Sequence, residues 1–145
     1  LNSEGVYEVD DATFAKIKDQ FKAGCLSEDE ILTTIKTCFN ETGYLLDTHT
    51  AIGYGVLKQY QQETGDHTKT VLLSTASPYK FPESVYQAIY GEELDVYTAI
   101  DKLSEKTGVP VPQALAGIKE REVLHKEAID KTEIISFIKS EIEAM

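Results

Sequence analysis

Five residues constrain this chain more than any others: Thr70-Val71-Leu72-Leu73-Ser74, followed at once by the polar, proline-containing loop Thr75-Ala76-Ser77-Pro78-Tyr79-Lys80. The run is short and apolar on both of its faces, as a strand covered by helices on each side would be, and such strands belong to parallel sheets. Parallel strands need several partners joined by crossover helices. In 145 residues only Val6–Val9 reads as another strand, and a weak one. The expectation is therefore an α/β chain, rich in helix, with one strong core strand whose neighbours lie elsewhere. The chain opens on Leu1 rather than Met, which suits a processed product or the C-terminal part of a larger α/β protein.

Periodicity around that strand marks five or six helices. Asp10 and Asp11 offer an N-cap to a helix with Phe14, Ile17 and Phe21 on one face and Gly24 as its stop. Ser27 and Glu30 form a capping box ahead of Ile31, Leu32, Ile35, Cys38 and Phe39, and Gly43 ends that helix. A third helix runs from about Thr48 to Gln62. Pro82 fits a first helical position before Val85, Ala88 and Ile89, with Gly91 beyond them. Tyr97, Ile100 and Leu103 mark a helix closed by Gly108. Asp130 and Glu133 are expected to cap a last one bearing Ile134, Ile135, Ile138 and Ile142. Residues 109–117 have no usable period. No repeat or linker divides the chain, so residues 1–145 are expected to form a single unit.

The third helix carries Gly53 and Gly55, each costing about 1 kcal/mol relative to alanine in a helix interior. Small residues there are expected to admit another backbone or a ligand.

Charge and composition exclude several functions. Lys and Arg total 14 against 25 Asp and Glu, a formal net charge of −11, and Arg121 is the sole arginine. Without a basic stripe to displace counterions, no nucleic-acid partner is expected. No basic lipid anchor, signal peptide or apolar run near the ~18 residues of a membrane span is present, so no membrane partner is expected either. Cys25 and Cys38 are too few for a disulfide scaffold and lack metal spacing with any His. Both are expected to be buried thiols in a reducing, cytoplasmic setting, and no metal site is expected.

Two stretches are placed for chemistry. Asp47-Thr48-His49-Thr50-Ala51 opens the glycine-containing helix, and Leu73-Ser74-Thr75-Ala76-Ser77-Pro78-Tyr79-Lys80-Phe81 lies at the C-terminal end of the strong strand. Ligands of open α/β sheets bind beyond the carboxyl ends of strands, and helix N-termini favour anions. Hydroxyl-rich strand ends also serve simply as turns and caps.

These residues resemble the C-terminal portion of threonine synthases, pyridoxal-phosphate enzymes of fold type II with the tryptophan-synthase-like fold. That family carries Asp-Pro-His-Thr-Ala at a helix start and, 20 to 25 residues later, a strand ending in Ser/Gly-Thr-Ala-His-Pro-Ala-Lys-Phe. This chain reads DTHTA at 47–51 and STASPYKF at 74–81, flanked by GYLLD at 43–47 and FPESVYQAI at 81–89, with IKERE at 118–122 and an acidic closing helix. The resemblance implies conversion of O-phospho-L-homoserine and water to L-threonine and phosphate with pyridoxal phosphate. It implies that Thr75, with Ser74, binds the cofactor, the Thr75 hydroxyl meeting the pyridine nitrogen, and that His49 and Thr50 line the active site. Thr48, Ser77 and Tyr79 depart from the family's Pro, His and Ala, although Thr48 can still cap the helix.

The family's Schiff-base lysine lies well upstream in a Ser/Gly-Asp-Thr context that this chain lacks, so no catalytic residue is expected among the 145, and Lys80 is read as structural or surface. His67 and His125 are given no role. The chain alone is expected to be inactive and to self-associate through an exposed sheet edge or helix faces. Two other readings compete: an acidic helical binding or regulatory module without cofactor, and another enzyme of the same fold, such as a dehydratase. The module reading leaves the glycine-containing helix and TASPYK apart in space; the enzyme reading brings Thr75 close to the start of that helix.

Overall fold

The computed structural model describes residues 5–124 and 126–144. Among them are six α-helices, α1 (Asp11–Gln20), α2 (Glu28–Thr42), α3 (Thr48–Thr64), α4 (Pro82–Tyr90), α5 (Val96–Thr107) and α6 (Ile134–Glu143), and two 3₁₀ turns, Pro78–Lys80 and Ile118–Glu120. By their contacts they fall into two units, Leu1–Leu115 and Ala116–Met145. No helix among the described residues is long and apolar enough to cross a membrane.

Punctuation in the sequence sets most helix ends. The Ser27 N–H donates to Glu30 Oε2 at 2.7 Å and the Glu30 N–H returns to Ser27 Oγ at 3.4 Å, closing the capping box of α2. Helices α2, α3, α4 and α5 each stop at a glycine in the left-handed region, Gly43, Gly65, Gly91 and Gly108, where a side chain would be strained. In the first unit α2 packs on α3 and on α4, and α4 packs on α5. Ile31, Ile35 and Cys38 of α2 meet Val85, Tyr86 and Ile89 of α4 and Ala99, Ile100 and Leu103 of α5 in one buried cluster, joined by Leu45, Leu46 and Tyr79 from the connections.

The expected core strand does not form. Thr70–Ser74 belongs to no helix or ladder among the described residues, and Val71 and Leu73 are 82% and 76% exposed. A strand is defined by its neighbours, and five residues with no ladder to join gain nothing from pairing. Val6–Val9 forms no strand either, and Val6, Tyr7 and Val9 are exposed.

Several smaller expectations are also corrected. Helix α1 ends at Gln20, short of Gly24, and buries none of its residues. Gly24 serves a close approach instead: a Cβ there would lie 2.8 Å from Val56 Cγ1. Cys25 is exposed, whereas Cys38 is buried, with its sulfur 3.6 Å from Thr42 Oγ1. In the second unit Glu133 precedes α6 without a side-chain cap bond. The Glu133 carboxylate accepts from the Asp130 N–H at 3.3 Å, and Asp130 Oδ1 accepts from the Thr132 N–H at 2.8 Å, so these two acids stabilise the turn before the helix. Leu1 and His125 lie outside the described residues.

Candidate functional site

Asp47 anchors the site. It follows the buried pair Leu45-Leu46, which carries its carboxyl group into the interior, and the residue is 1% exposed. Its Oδ1 accepts the His49 N–H at 2.9 Å and the Thr50 N–H at 3.2 Å. These are first-turn donors of α3 that no carbonyl can reach, so the carboxylate is the helix N-cap. Thr48, expected to be able to cap, is the first helical residue instead. Because Asp47 occupies these donors, this helix end is not an open anion site.

Thr50, 4% exposed, donates its hydroxyl hydrogen to Asp47 Oδ2. Its oxygen also lies 3.3 Å from Ser74 Oγ, twenty-four residues further on. This contact joins the two stretches singled out in the sequence. The enzyme reading brings Thr75 close to the start of α3, and the contact found is made by its neighbour Ser74. Ser74 Oγ lies 3.4 Å from the Ala76 carbonyl oxygen. Ser74 and Thr75 are both exposed, and among the described residues the Thr75 hydroxyl makes no hydrogen bond.

His49 stands at the rim. Its side chain is 61% exposed, with Nδ1 3.7 Å from Asp47 Oδ1 and 3.3 Å from Thr48 Oγ1. Its ring lies 4.9 Å from that of Phe81, centroid to centroid, tilted by 43°. Phe81 closes the loop that Ser74 begins, so His49 is a second tie between helix start and loop. Lys80 is exposed, its Nζ 5.8 Å from the Phe81 ring centroid. His67 is exposed as well.

The departures from the family pattern have local explanations. Ser77 Oγ accepts the Tyr79 N–H at 3.3 Å and caps the 3₁₀ turn. Tyr79 is buried and donates its phenol hydrogen to the Val109 carbonyl oxygen. Neighbouring side chains crowd the glycines of α3. A Cβ on Gly53 would lie 2.9 Å from Leu72 Cδ1, and one on Gly55 would lie 2.5 Å from Leu26 Cδ1 and 3.2 Å from Thr34 Oγ1. The expected core strand thus touches α3 through Leu72.

A feature missed in the sequence is a cavity of about 530 Å³ between α2 and α3, lined among others by Thr33, Thr37, Tyr54, Lys58 and Gln59. None of His49, Thr50, Ser74 or Thr75 lines it. Its threonines recur at i and i+4 on α2, a spacing that reads as an ordinary solvated helix face. No group of three or more His, Cys, Asp or Glu able to hold a metal is present among the described residues.

Comparison with known proteins places the chain in a family. Residues 50–138 match the family model "Threonine synthase, C-terminal". Human "Threonine synthase-like 1" is 32% identical over 95 residues, 66% of this chain and 12% of that protein. The threonine synthase of Pseudomonas aeruginosa is 31% identical over 92 residues, 63% of this chain and 19% of that protein. Among solved structures, the crystal structure of pyridoxal-phosphate-bound threonine synthase from Brucella melitensis superposes with a TM-score of 0.60 at 30% identity, covering 84% of this chain and 22% of that one. The chain therefore spans between 12% and 19% of the length of these two curated relatives. Over most of its length it belongs to the threonine synthase family and corresponds to its C-terminal portion.

Proposed function

We propose that residues 1–145 are one unit of a pyridoxal-phosphate enzyme that converts O-phospho-L-homoserine and water to L-threonine and phosphate. Their part is to supply the hydroxyl-bearing edge of the cofactor site. When bound, pyridoxal phosphate supplies an electron sink for carbanion chemistry, while the protein contributes orientation and electrostatics. The residues present fit that group. Thr75 offers an exposed hydroxyl with no partner among the described residues, beside a Ser74 held by Thr50. In this reading Thr75 donates a hydrogen bond to the ring nitrogen. A neutral hydroxyl does so without placing a full proton on the ring, which tempers the sink. His49 and Thr50 line the site from the helix side, with Thr50 acting from beneath the surface.

The observation that carries the reading is the 3.3 Å contact between Thr50 and Ser74, which brings two distant motifs together at one edge. No Schiff-base lysine context occurs in these 145 residues, so the chain assayed alone binds no pyridoxal chromophore and releases no phosphate from O-phospho-L-homoserine. Turnover by it alone would refute that part. In a full-length polypeptide that carries these residues, Thr75→Ser keeps phosphate release within about threefold. Thr75→Val lowers it at least about tenfold, the order expected for losing a hydrogen bond to a charged or strongly polar group. Equal activity of the Val and Ser variants overturns the cofactor role of Thr75.

The exposed side chains of Val71 and Leu73, on a segment with unpaired backbone, are also the surface through which the isolated chain self-associates. Leu73→Lys should reduce association measured by sedimentation. A chain that stays monomeric at high concentration contradicts this.

A further inference from the structure

We infer that Asp47 is a positioning residue: acting through Thr50, it sets the direction of the Ser74 hydroxyl, so that residue 74 presents a fixed acceptor and residue 75 a free donor. The functional sense of this rests on the cofactor role proposed above for Thr75, whereas the hydrogen-bond chain stands without it.

The argument is a count of protons. A carboxylate only accepts, and a threonine or serine hydroxyl has one hydrogen to give. Both backbone N–H groups point at Asp47 Oδ1, which leaves Oδ2 for the Thr50 hydroxyl. With its hydrogen committed there, Thr50 has only lone pairs to turn toward Ser74, 3.3 Å away. Geometry alone admits Thr50 as the donor in that contact, but its single hydrogen is committed to Asp47, so the hydrogen there is assigned to Ser74. The other acceptor near Ser74, the Ala76 carbonyl oxygen, is the more distant at 3.4 Å and belongs to the same loop. The shorter contact makes Thr50 the acceptor of the Ser74 hydrogen, so residue 74 has only lone pairs to offer a ligand. Thr75 has no such commitment among the described residues. A ligand atom that reaches residue 74 must bring a hydrogen, while one that reaches residue 75 can be a bare acceptor such as an unprotonated ring nitrogen. Asp47 is 1% exposed and makes no hydrogen bond with Ser74 or Thr75 among the described residues.

Asp47→Asn tests this on the 145-residue chain without cofactor. Asn caps helices about as well as Asp, so α3 persists, with the amide oxygen accepting the two N–H groups in place of Oδ1. The amide nitrogen then stands where Oδ2 was and can only donate. Thr50 must accept from it, and its own hydrogen turns to Ser74, reversing the chain. By NMR in equal H₂O and D₂O, Thr50 Cβ of the native chain should give the resolved isotope doublet of a slowly exchanging hydroxyl. In Asp47→Asn, the cross-peak from that hydroxyl proton to the Ser74 β-protons should grow at least about threefold relative to its peak to the Thr50 amide. An averaged Cβ line in the native chain, or an unchanged peak ratio in the variant, overturns the inference.

A double-mutant cycle of Asp47→Asn with Ser74→Ala provides a second readout, since these two residues make no hydrogen bond with each other. Coupling of at least about twofold in the unfolding constant is expected, falling to none in a Thr50→Val background, and additivity in the native background overturns the inference. A failed relay alongside Thr75-dependent phosphate release would remove the role of Asp47 alone. An intact relay without a Thr75 effect would remove the cofactor role alone.

Discussion

The phenol of Tyr79 donates its hydrogen to the carbonyl oxygen of Val109, thirty residues further along the chain. That bond ties the loop carrying Ser74 and Thr75 to the segment just after α5, while the Thr50 contact ties it to α3. The loop is therefore held from two sides although, among the described residues, no sheet holds the segment before it. Removing the hydroxyl in Tyr79→Phe should lower stability by about 1 kcal/mol, the net worth of one such hydrogen bond. The urea midpoint should fall with an unchanged m-value. Tyr79→Ala, which installs the residue common in the family, should cost about 3 kcal/mol or more because it also empties a core position. An unchanged midpoint for Tyr79→Phe would mean that the tie adds nothing to stability.

Gly53 and Gly55 should respond with opposite signs. At either position alanine gains up to about 1 kcal/mol of helix propensity. At Gly53 the obstacle is one methyl group of Leu72, 2.9 Å from the new Cβ, on a segment with exposed residues on either side that can shift. Gly53→Ala should raise the melting temperature. At Gly55, which is buried, the new Cβ meets Leu26 at 2.5 and 3.3 Å and Thr34 at 3.2 Å, where α3 packs on α2. Overpacking costs about 1–3 kcal/mol and outweighs the propensity gain. Thermal unfolding of the two variants side by side decides the matter; the same sign for both would contradict this account of the paired glycines.

The contrast between these glycines and the terminal ones explains what a reader of the sequence alone could find. Gly43, Gly91 and Gly108 follow amphipathic runs and act through local backbone geometry, so three helix ends were legible. The capping box of Ser27 and Glu30 is likewise local. Thr70–Ser74 reads as a strand from its composition, yet a strand needs partners that no local pattern supplies, and it stays unpaired. Gly55 needs Leu26 and Thr34 from another helix to explain it. At the site, the motif pair at 47–51 and 74–81 was legible through resemblance. The buried carboxylate of Asp47 was not, because its role depends on a contact spanning twenty-four residues. The cavity between α2 and α3 escaped for the same reason.

Glu30 offers a pH probe that leaves the fold intact. Hydrogen bonds from the Ser27 backbone N–H, first, and its hydroxyl hold the Glu30 carboxyl below its ordinary value. A carboxyl with a depressed folded-state pKa contributes stability that is present above the unfolded value, about 4.5, and is lost as pH falls through the folded value. Glutamine at this position preserves the capping box without the charge. The stability difference between the native chain and Glu30→Gln should therefore be largest near neutral pH and shrink toward pH 3 in urea titrations at stepped pH. A difference that grows on acidification would reverse the sign and refute the assignment.

Lys106 of α5 sits over two tyrosines of α4, its Nζ 4.4 Å from the Tyr90 ring centroid and 5.1 Å from that of Tyr86, with the two rings 4.8 Å apart. Burial pushes the Tyr90 phenol above the ordinary tyrosine range, and the nearby ammonium partly offsets that rise because it favours phenolate. Lys106 is itself held above its ordinary value, chiefly by its hydrogen bond with Tyr86, so it still carries charge as the Tyr90 phenol begins to titrate. Removing the charge in Lys106→Gln leaves the burial effect unopposed. The Tyr90 midpoint should then move further upward in an alkaline titration followed by ultraviolet absorbance, with Tyr90→Phe identifying its share of the signal. An unchanged midpoint would mean that the ammonium does not act on this phenol, and a downward shift would reverse the sign of its effect; either outcome refutes the assignment.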